Sequence, residues 1–402
     1  MNRIFNEIKN NFYVILSLSR SASYGKDEGK RTSHFDRLSM TDFDLPRLES
    51  RVKAGMLSVT LFDLLNVSRQ LILFILLLLL VFSSSQFAQP KFSEMSVKPG
   101  AFSRMGFGAR GIGMGNGLSA VIEGNLVSYY NPASSVFQKG NVVQTGYSLL
   151  SLDRKLNFLS FTKRFEFFSS KDTSLNRKPT SVAGLSAGII NSGVSKIDGR
   201  DNNGLKTKEL STSENLFFLG ISNRFSEKFA MGLTIKFYYY KLYEQVTSTS
   251  VGIDIGALYR FNDNITFSVA LNDLNSKYKW DSGPIYGQNG ISSEEKFPLL
   301  KKIGVSYKNS DYNFLVVGEF ESSNAGTNII KVGAEYNIFE GLFLRGGIDQ
   351  YNLSNIDWPI KPSLGFGYFY NLSNYTIGID YAFMFEPYSS SDRHIIGVNF
   401  NF

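Results

Sequence analysis

From residue 141 to the end, large apolar side chains alternate with small or polar ones. In Tyr375, Ile377, Ile379, Tyr381, Phe383 and Phe385 every second residue is bulky and apolar, while Thr376, Gly378, Asp380 and Ala382 fall between them. A period of two is the signature of a strand with one apolar face. Alternation and turn residues together predict about fourteen strands. They run roughly over 141–150, 155–166, 181–194, 213–225, 229–243, 248–261, 265–275, 299–309, 312–322, 328–338, 342–352, 361–370, 374–385 and 391–402.

Alternation alone fits a soluble sandwich, with the apolar face in a core, as well as a membrane barrel, with that face on lipid. The connections separate the two. Ser226-Glu227-Lys228, Asn262-Asp263-Asn264, Asn309-Ser310-Asp311, Glu340-Gly341 and Leu372-Ser373 are tight turns. Between them lie 244–247, 276–298, 323–327, 353–360 and 386–390, mostly longer. Short turns on one rim and longer loops on the other belong to an outer-membrane barrel, whose even strand number returns the chain to its starting side. Phe225, Phe261, Tyr307, Phe339 and Tyr370 stand at the tight-turn ends, where an aromatic girdle is expected. The 167–180 connection is long where this parity predicts a short turn.

The last strand presents Asp392, His394, Ile396, Val398, Phe400 and Phe402 on one face and Arg393, Ile395, Gly397, Asn399 and Asn401 on the other. Lys236, Asp254, Arg260, Lys331, Glu335, Arg345, Asp349 and Asp380 fall on the inward face of their strands. Charges confined in a lumen need partners, so these are expected to pair across it or with a plug rather than to mark a substrate path.

Ahead of the strands the pattern changes twice. Leu71 to Phe82 is an unbroken apolar run after Arg69, leading into Ser83-Ser84-Ser85-Gln86-Phe87-Ala88. It is shorter than the roughly 20 residues of a membrane helix. A basic residue, a short apolar run and a small-residue exit predict a signal peptide over 67–88, cleaved after Ala88; a buried helix or an anchor is the competing reading. Residues 1–66 are polar and aperiodic, which suggests a misassigned start, with translation beginning at Met56 or near Val67, or else a disordered leader.

Residues 89–139 are then expected to form an N-terminal plug, followed by the barrel over 140–402. The plug region is glycine-rich, with Gly106, Gly108, Gly111, Gly113 and Gly115, and closes on Asn131-Pro132-Ala133. Gly106, Gly108 and Gly111 match the spacing of a dinucleotide fingerprint, but no strand precedes them and a β-meander follows, so a nucleotide site is not expected. Dense glycine instead permits close backbone packing in a confined space.

Composition adds little. Charged residues are 19% and aromatics 14%, lean in charge and rich in rings for a soluble chain. The net charge of +7 is spread among acidic residues, which argues against nucleic-acid binding. There is no cysteine, and the two histidines, His34 and His394, lie in the leader and the last strand. No nucleophile–base pair, carboxylate pair or metal spacing stands out, so neither an enzyme nor a cofactor is expected.

The segments Gly108 to Ser134, Ala183 to Gly204, Val269 to Gly283 and Lys296 to Tyr307 resemble the PorV/PorQ family, a branch similar to FadL-type barrels. The resemblance covers most of 97–402; its most specific parts are the glycine-rich segment with Asn131-Pro132-Ala133 and the loop around Trp280. It implies a fourteen-stranded barrel with an N-terminal plug in a Gram-negative outer membrane, serving type IX secretion. Its implied partners are the C-terminal domains of secreted cargo and a PorU-like attachment complex. The alternative is a FadL-like channel for hydrophobic small molecules. The longest outer loops, 195–212 and 276–298, would grip a partner. Tyr278, Trp280, Tyr286 and Trp358 are either anchors for that partner or girdle residues at the outer head-group level.

Overall fold

The computed structural model describes residues 94–168, 179–357 and 359–402. The expected leader (1–66), signal peptide (67–88), the first residues of the expected plug (89–93), most of the 167–180 connection and Trp358 lie outside the described residues.

The strands are β1 (Asn141–Leu149), β2 (Lys155–Phe167), β3 (Ser181–Arg200), β4 (Lys206–Arg224), β5 (Phe229–Tyr243), β6 (Val246–Arg260), β7 (Ile265–Leu274) and β8 (Lys277–Asp281). They continue as β9 (Ser292–Lys296), β10 (Leu300–Asn309), β11 (Phe314–Ser323), β12 (Asn328–Phe339), β13 (Leu342–Asn352), β14 (Pro362–Leu372), β15 (Tyr375–Met384) and β16 (Arg393–Asn401). Fourteen of them close an antiparallel barrel in chain order, and β16 pairs back onto β1. The remaining two, β8 and β9, form a separate hairpin between β7 and β10.

The period of two sorts side chains as the sequence predicts. On β4, Leu216 and Phe218 are buried in the lumen while Phe217, Leu219 and Ile221 face outward. Ile221, Val269, Ile303, Leu364 and Ile379 are each more than half exposed, which in water would be a costly apolar surface. On a barrel wall that surface is the lipid belt, and the molecule is an outer-membrane barrel of Gram-negative type. Phe225, Phe261, Tyr307, Phe339 and Tyr370 are exposed at the tight-turn rim, at girdle positions. In β16, Arg393, Ile395 and Asn399 are buried and Ile396, Val398 and Phe400 face out.

Tight connections at 225–228, 261–264, 310–313, 340–341 and 373–374 define one rim. The other carries 150–154, 201–205, 244–245, 275–299, 324–327, 353–361 and 385–392. Two expectations need correction here. Most of 195–212 is not a loop: Ile197 pairs with Leu210, Asp198 with Glu209 and Arg200 with Lys206, so β3 and β4 stand above the rim as a hairpin. Beyond the lipid belt both strand faces meet water, so alternation disappears while backbone pairing continues. The outer connection between β5 and β6 is only two residues, because those strands themselves project past the belt.

Candidate functional site

The lumen is filled by the chain that precedes β1. Residues 102–138 are largely buried, from Phe102 and Phe107 through Ile112, Met114 and Val121 to Asn131, Ala133 and Val136. This inner segment holds a short helix, α1 (Gly108–Gly113), against β13 to β16, and a 3-10 turn, Pro132–Phe137, against β2 to β6. Its start lies toward the loop rim, where Gly100 abuts Phe297 of the 275–299 connection. Its lower part reaches the tight-turn rim, where Asn401 donates to Asn125 Oδ1 and Glu123 pairs with Lys308.

Asn131 is a joint between segment and wall. Its Oδ1 accepts from Ala133 N at 2.9 Å, capping the 3-10 turn, while its Nδ2 donates to Ser119 O and to the wall carbonyl of Ala257. Pro132 follows at the first position of the turn, where its missing N–H costs nothing. Opposite this joint the wall has no side chains. A Cβ on Gly232 would lie 2.3 Å from Pro132 O, and one on Gly256 2.2 Å from Asn131 Oδ1. Across the lumen, a Cβ on Gly333 would lie 2.2 Å from Met114 O, and one on Gly347 2.4 Å from Gly115 N. Sequence reasoning missed these wall glycines; their signal was glycine at inward positions of long strands.

The segment's own glycines differ in what they demand. Gly115 has φ +62° with two wall carbonyls 2.6 Å from a would-be Cβ, and Gly111 and Gly106 abut the Tyr130 hydroxyl and the Asn116 amide. Gly113 meets nothing nearer than 3.3 Å and Gly108 nothing nearer than 4.0 Å, so they are less confined.

Charge supplies the second set of contacts. Arg110, from the segment, reaches Glu335 through two nitrogens at 2.7 and 2.9 Å; Arg345 shares that carboxylate and also binds Asp380. Lys236 bridges Asp254 at 2.7 Å and Asp273 at 3.1 Å, with the Tyr238 hydroxyl on the same Asp273. Lys331 pairs with Glu321, and Glu319 accepts the segment's Ser119 N–H. Most of the lumenal charges are thus spent on one another or on the segment, as confinement in a poorly hydrated space requires.

Two of the cavities around the segment open toward opposite rims. One of about 640 Å³ opens toward the loop rim and is lined by Arg104, Arg154, Lys331, Lys361, Glu386 and Arg393. One of about 460 Å³ opens toward the tight-turn rim, lined by Lys308, Glu335, Phe343, Phe369, Asn371 and Asn401. The inner segment stands between them.

The β8–β9 hairpin rises over the loop rim. Tyr278 is 1% exposed and points inward, its ring 4.9 Å from Phe297 and 6.4 Å from Tyr238. Trp280 packs on Tyr240 at 5.1 Å and donates its indole N–H to Glu295. Tyr286, the last residue of α2 (Gly283–Tyr286), is exposed. Of the aromatics singled out in this loop, one therefore faces the surrounding medium fully, and the other two hold the hairpin to the barrel mouth.

No protein-family model matches the chain, and no curated protein matches it. The chain is similar in fold to solved outer-membrane barrels of the FadL type. The toluene transporter TbuX of Ralstonia pickettii aligns over 73% of this chain and 97% of its own, at 11% identity and a TM-score of 0.51. The toluene transporter TodX of Pseudomonas putida aligns over 73% and 96%, at 14% identity and a TM-score of 0.47. A FadL homologue of Pseudomonas aeruginosa aligns over 74% and 98%, at 11% identity and a TM-score of 0.47. At these identities the shared property is the fold: a closed fourteen-stranded outer-membrane barrel.

Proposed function

We propose that this protein is a non-enzymatic, gated channel for small hydrophobic molecules, with the inner segment as its movable plug. The observation that carries the reading is the division of the lumen into an outer and an inner cavity by a segment seated on bare glycine backbone and held by a few polar keys. Close backbone contacts and discrete ion pairs form a bistable seat, which either engages or releases, rather than a continuous core. The fold-level likeness to TbuX, a toluene transporter, favours the same reading.

A second reading keeps the secretion role implied by the resemblance to PorV/PorQ: a binding shuttle for the C-terminal domains of secreted cargo, delivering them to a PorU-like attachment complex. Its support is the pair of hairpins above the outer rim, β3–β4 and β8–β9, with Lys206, Lys208, Glu209, Lys279 and Glu294 exposed on them. Long elements on a rigid wall are where partner contacts concentrate.

One experiment separates the two. The Ser135 and Ser222 hydroxyls lie 2.6 Å apart, one on the segment and one on β4, and the native chain has no cysteine. A Ser135→Cys/Ser222→Cys variant should therefore form a single disulfide that locks the plug. Oxidised protein in liposomes should fail to pass toluene, and reduction should restore passage. Equal passage in both states would remove the channel reading; cargo capture lost on deleting residues 277–296 would favour the shuttle.

A further inference from the structure

The outward face of the wall carries a polar ladder that a lipid belt does not explain. Asn157, Asn191 and Asn215 are cross-strand neighbours on β2, β3 and β4, all on the lipid side. Their amides form a ladder: Asn157 Nδ2 donates to Asn191 Oδ1 at 3.2 Å, Asn191 Nδ2 to Asn215 Oδ1 at 2.7 Å, and Asn215 Nδ2 to Ser213 Oγ at 3.1 Å. Every donor in the ladder points toward β4. The far end, Asn157 Oδ1, accepts no hydrogen bond among the described residues.

That end opens on a groove. Along the next row toward the membrane centre, register pairing sets Val398, Thr145, Leu159, Ile189, Phe217 and Phe237 side by side. Thr145 and Val398, a register pair of similar size, are the small residues of this row, and the Thr145 hydroxyl is already spent on Phe158 O at 3.2 Å. The dip they leave is part of a groove of about 570 Å³ walled by Tyr147, Leu159, Ile189 and Ile396, with Asn157 and Asn191 also lining it.

The row of asparagines also marks a boundary. On the same faces, Leu159, Ile189 and Phe217 lie on its membrane side, and Lys155, Gly193 and Ser213 on its outer side. Tyr147 and Tyr239 flank the ladder in register, at positions where interfacial aromatics stand. The ladder thus sits where hydrocarbon gives way to head groups. A carbonyl oxygen there, without a donor, is costly in proportion to how far water is excluded.

We propose that this groove is a binding site for one outer-leaflet lipid: an acyl chain lies over Thr145, and the head group donates a hydrogen bond from a hydroxyl, amide or ammonium to Asn157 Oδ1. The groove supplies apolar contact to any chain, and the ladder selects among head groups because it presents an acceptor. The occupant is a lipid because the groove lies within the belt that faces lipid, and its polar end lies at head-group level. The site is independent of what passes through the lumen.

The test uses the full barrel, reconstituted with dioleoyl phosphatidylethanolamine, whose ammonium donates, or dioleoyl phosphatidylcholine, whose head group has no donor. Native mass spectrometry after transfer to mild detergent counts lipid adducts. Wild-type protein should retain one phosphatidylethanolamine and about tenfold less phosphatidylcholine, the ratio expected for one hydrogen bond of ordinary strength. Asn157→Leu should erase that preference, and Thr145→Phe, which fills the dip, should lose both adducts. Heat-modifiable mobility on gels confirms that each variant is a folded barrel; if Thr145→Phe fails to assemble, the head-group preference of wild type against Asn157→Leu decides alone. Equal adducts in wild type and Asn157→Leu, detergent adducts only, or a lipid-free dimer joined through this face would each overturn the proposal.

Discussion

Residues 332 and 333 are neighbours on β12 and live in different molecules, in effect. Val332 faces lipid, where any apolar side chain of similar bulk would serve, while Gly333 faces inward with Met114 O where a Cβ would have to be. The same contrast runs around the wall. Its outer face is specified by class of residue, because liquid hydrocarbon adapts to shape. Its inner face is specified atom by atom, because the inner segment is a folded surface that does not adapt.

The sharpest way to break this contrast is to make the same residue at both positions. Val332→Ala should leave assembly intact, with a stability loss of up to about 1 kcal/mol. Gly333→Ala should cost about 1–3 kcal/mol by overpacking, and Gly333→Leu should abolish the heat-modifiable barrel. Urea unfolding of refolded protein in micelles measures both. Equal losses at 332 and 333 would mean that the inner segment does not press on the wall.

A comparable effect is expected from charge. Glu335→Ala leaves Arg110 and Arg345 buried with Asp380 as the one carboxylate still in contact, and should cost about 3–5 kcal/mol. The loss should shrink in the Arg110→Met/Glu335→Ala double variant, because one of the stranded charges is gone. An unchanged loss would show that Arg110 contributes nothing to the seat.

The smallest effect lies outside the membrane. Glu294 on β9 is exposed and its carboxyl is held below the ordinary glutamate range, first by the hydrogen bond from Lys277 and then by that from Lys279. A lowered folded value means that this contact stabilises above the unfolded glutamate value of about 4.3 and is lost as pH falls below it, through the folded value. The pairs are exposed and weak, so the barrel transition should not move. Amide exchange in β8 and β9 should quicken below about pH 4 relative to a Glu294→Gln control, which should show no such step.

How much of this was legible in the chain follows from the same contrast. The strands and both rims could be read because lipid imposes one chemistry on every second residue. Turn residues such as Asn262-Asp263-Asn264 marked the ends to within a few positions. The upper parts of β3 and β4 were invisible, since Asp198, Lys206 and Glu209 stand on strands with water on both sides. β9, Ser-Ser-Glu-Glu-Lys, is exposed along its whole length and looks like loop for the same reason. The inward charges were recognisable as needing partners, but their partners were not. Arg110 and Glu335 are 225 residues apart, and no local pattern connects them. Gly232 and Gly256 read as generic small residues because their reason is the backbone of Pro132 and Asn131, which only the fold brings near.

Arg393, the first residue of β16, is 1% exposed and donates from Nε to Ser148 Oγ on β1 and from Nη1 to Met105 O on the inner segment. One guanidinium on β16 therefore touches both β1, across the seam of the wall, and the inner segment. Pairing of β16 with β1 closes the cylinder, and Arg393 gains its Met105 acceptor only when the inner segment is already inside. Closure of the seam thus reports on its own contents: an empty barrel would take the Met105 carbonyl from a buried cation whose Nη2 already has no acceptor among the described residues, at the point where the two ends of the wall must meet.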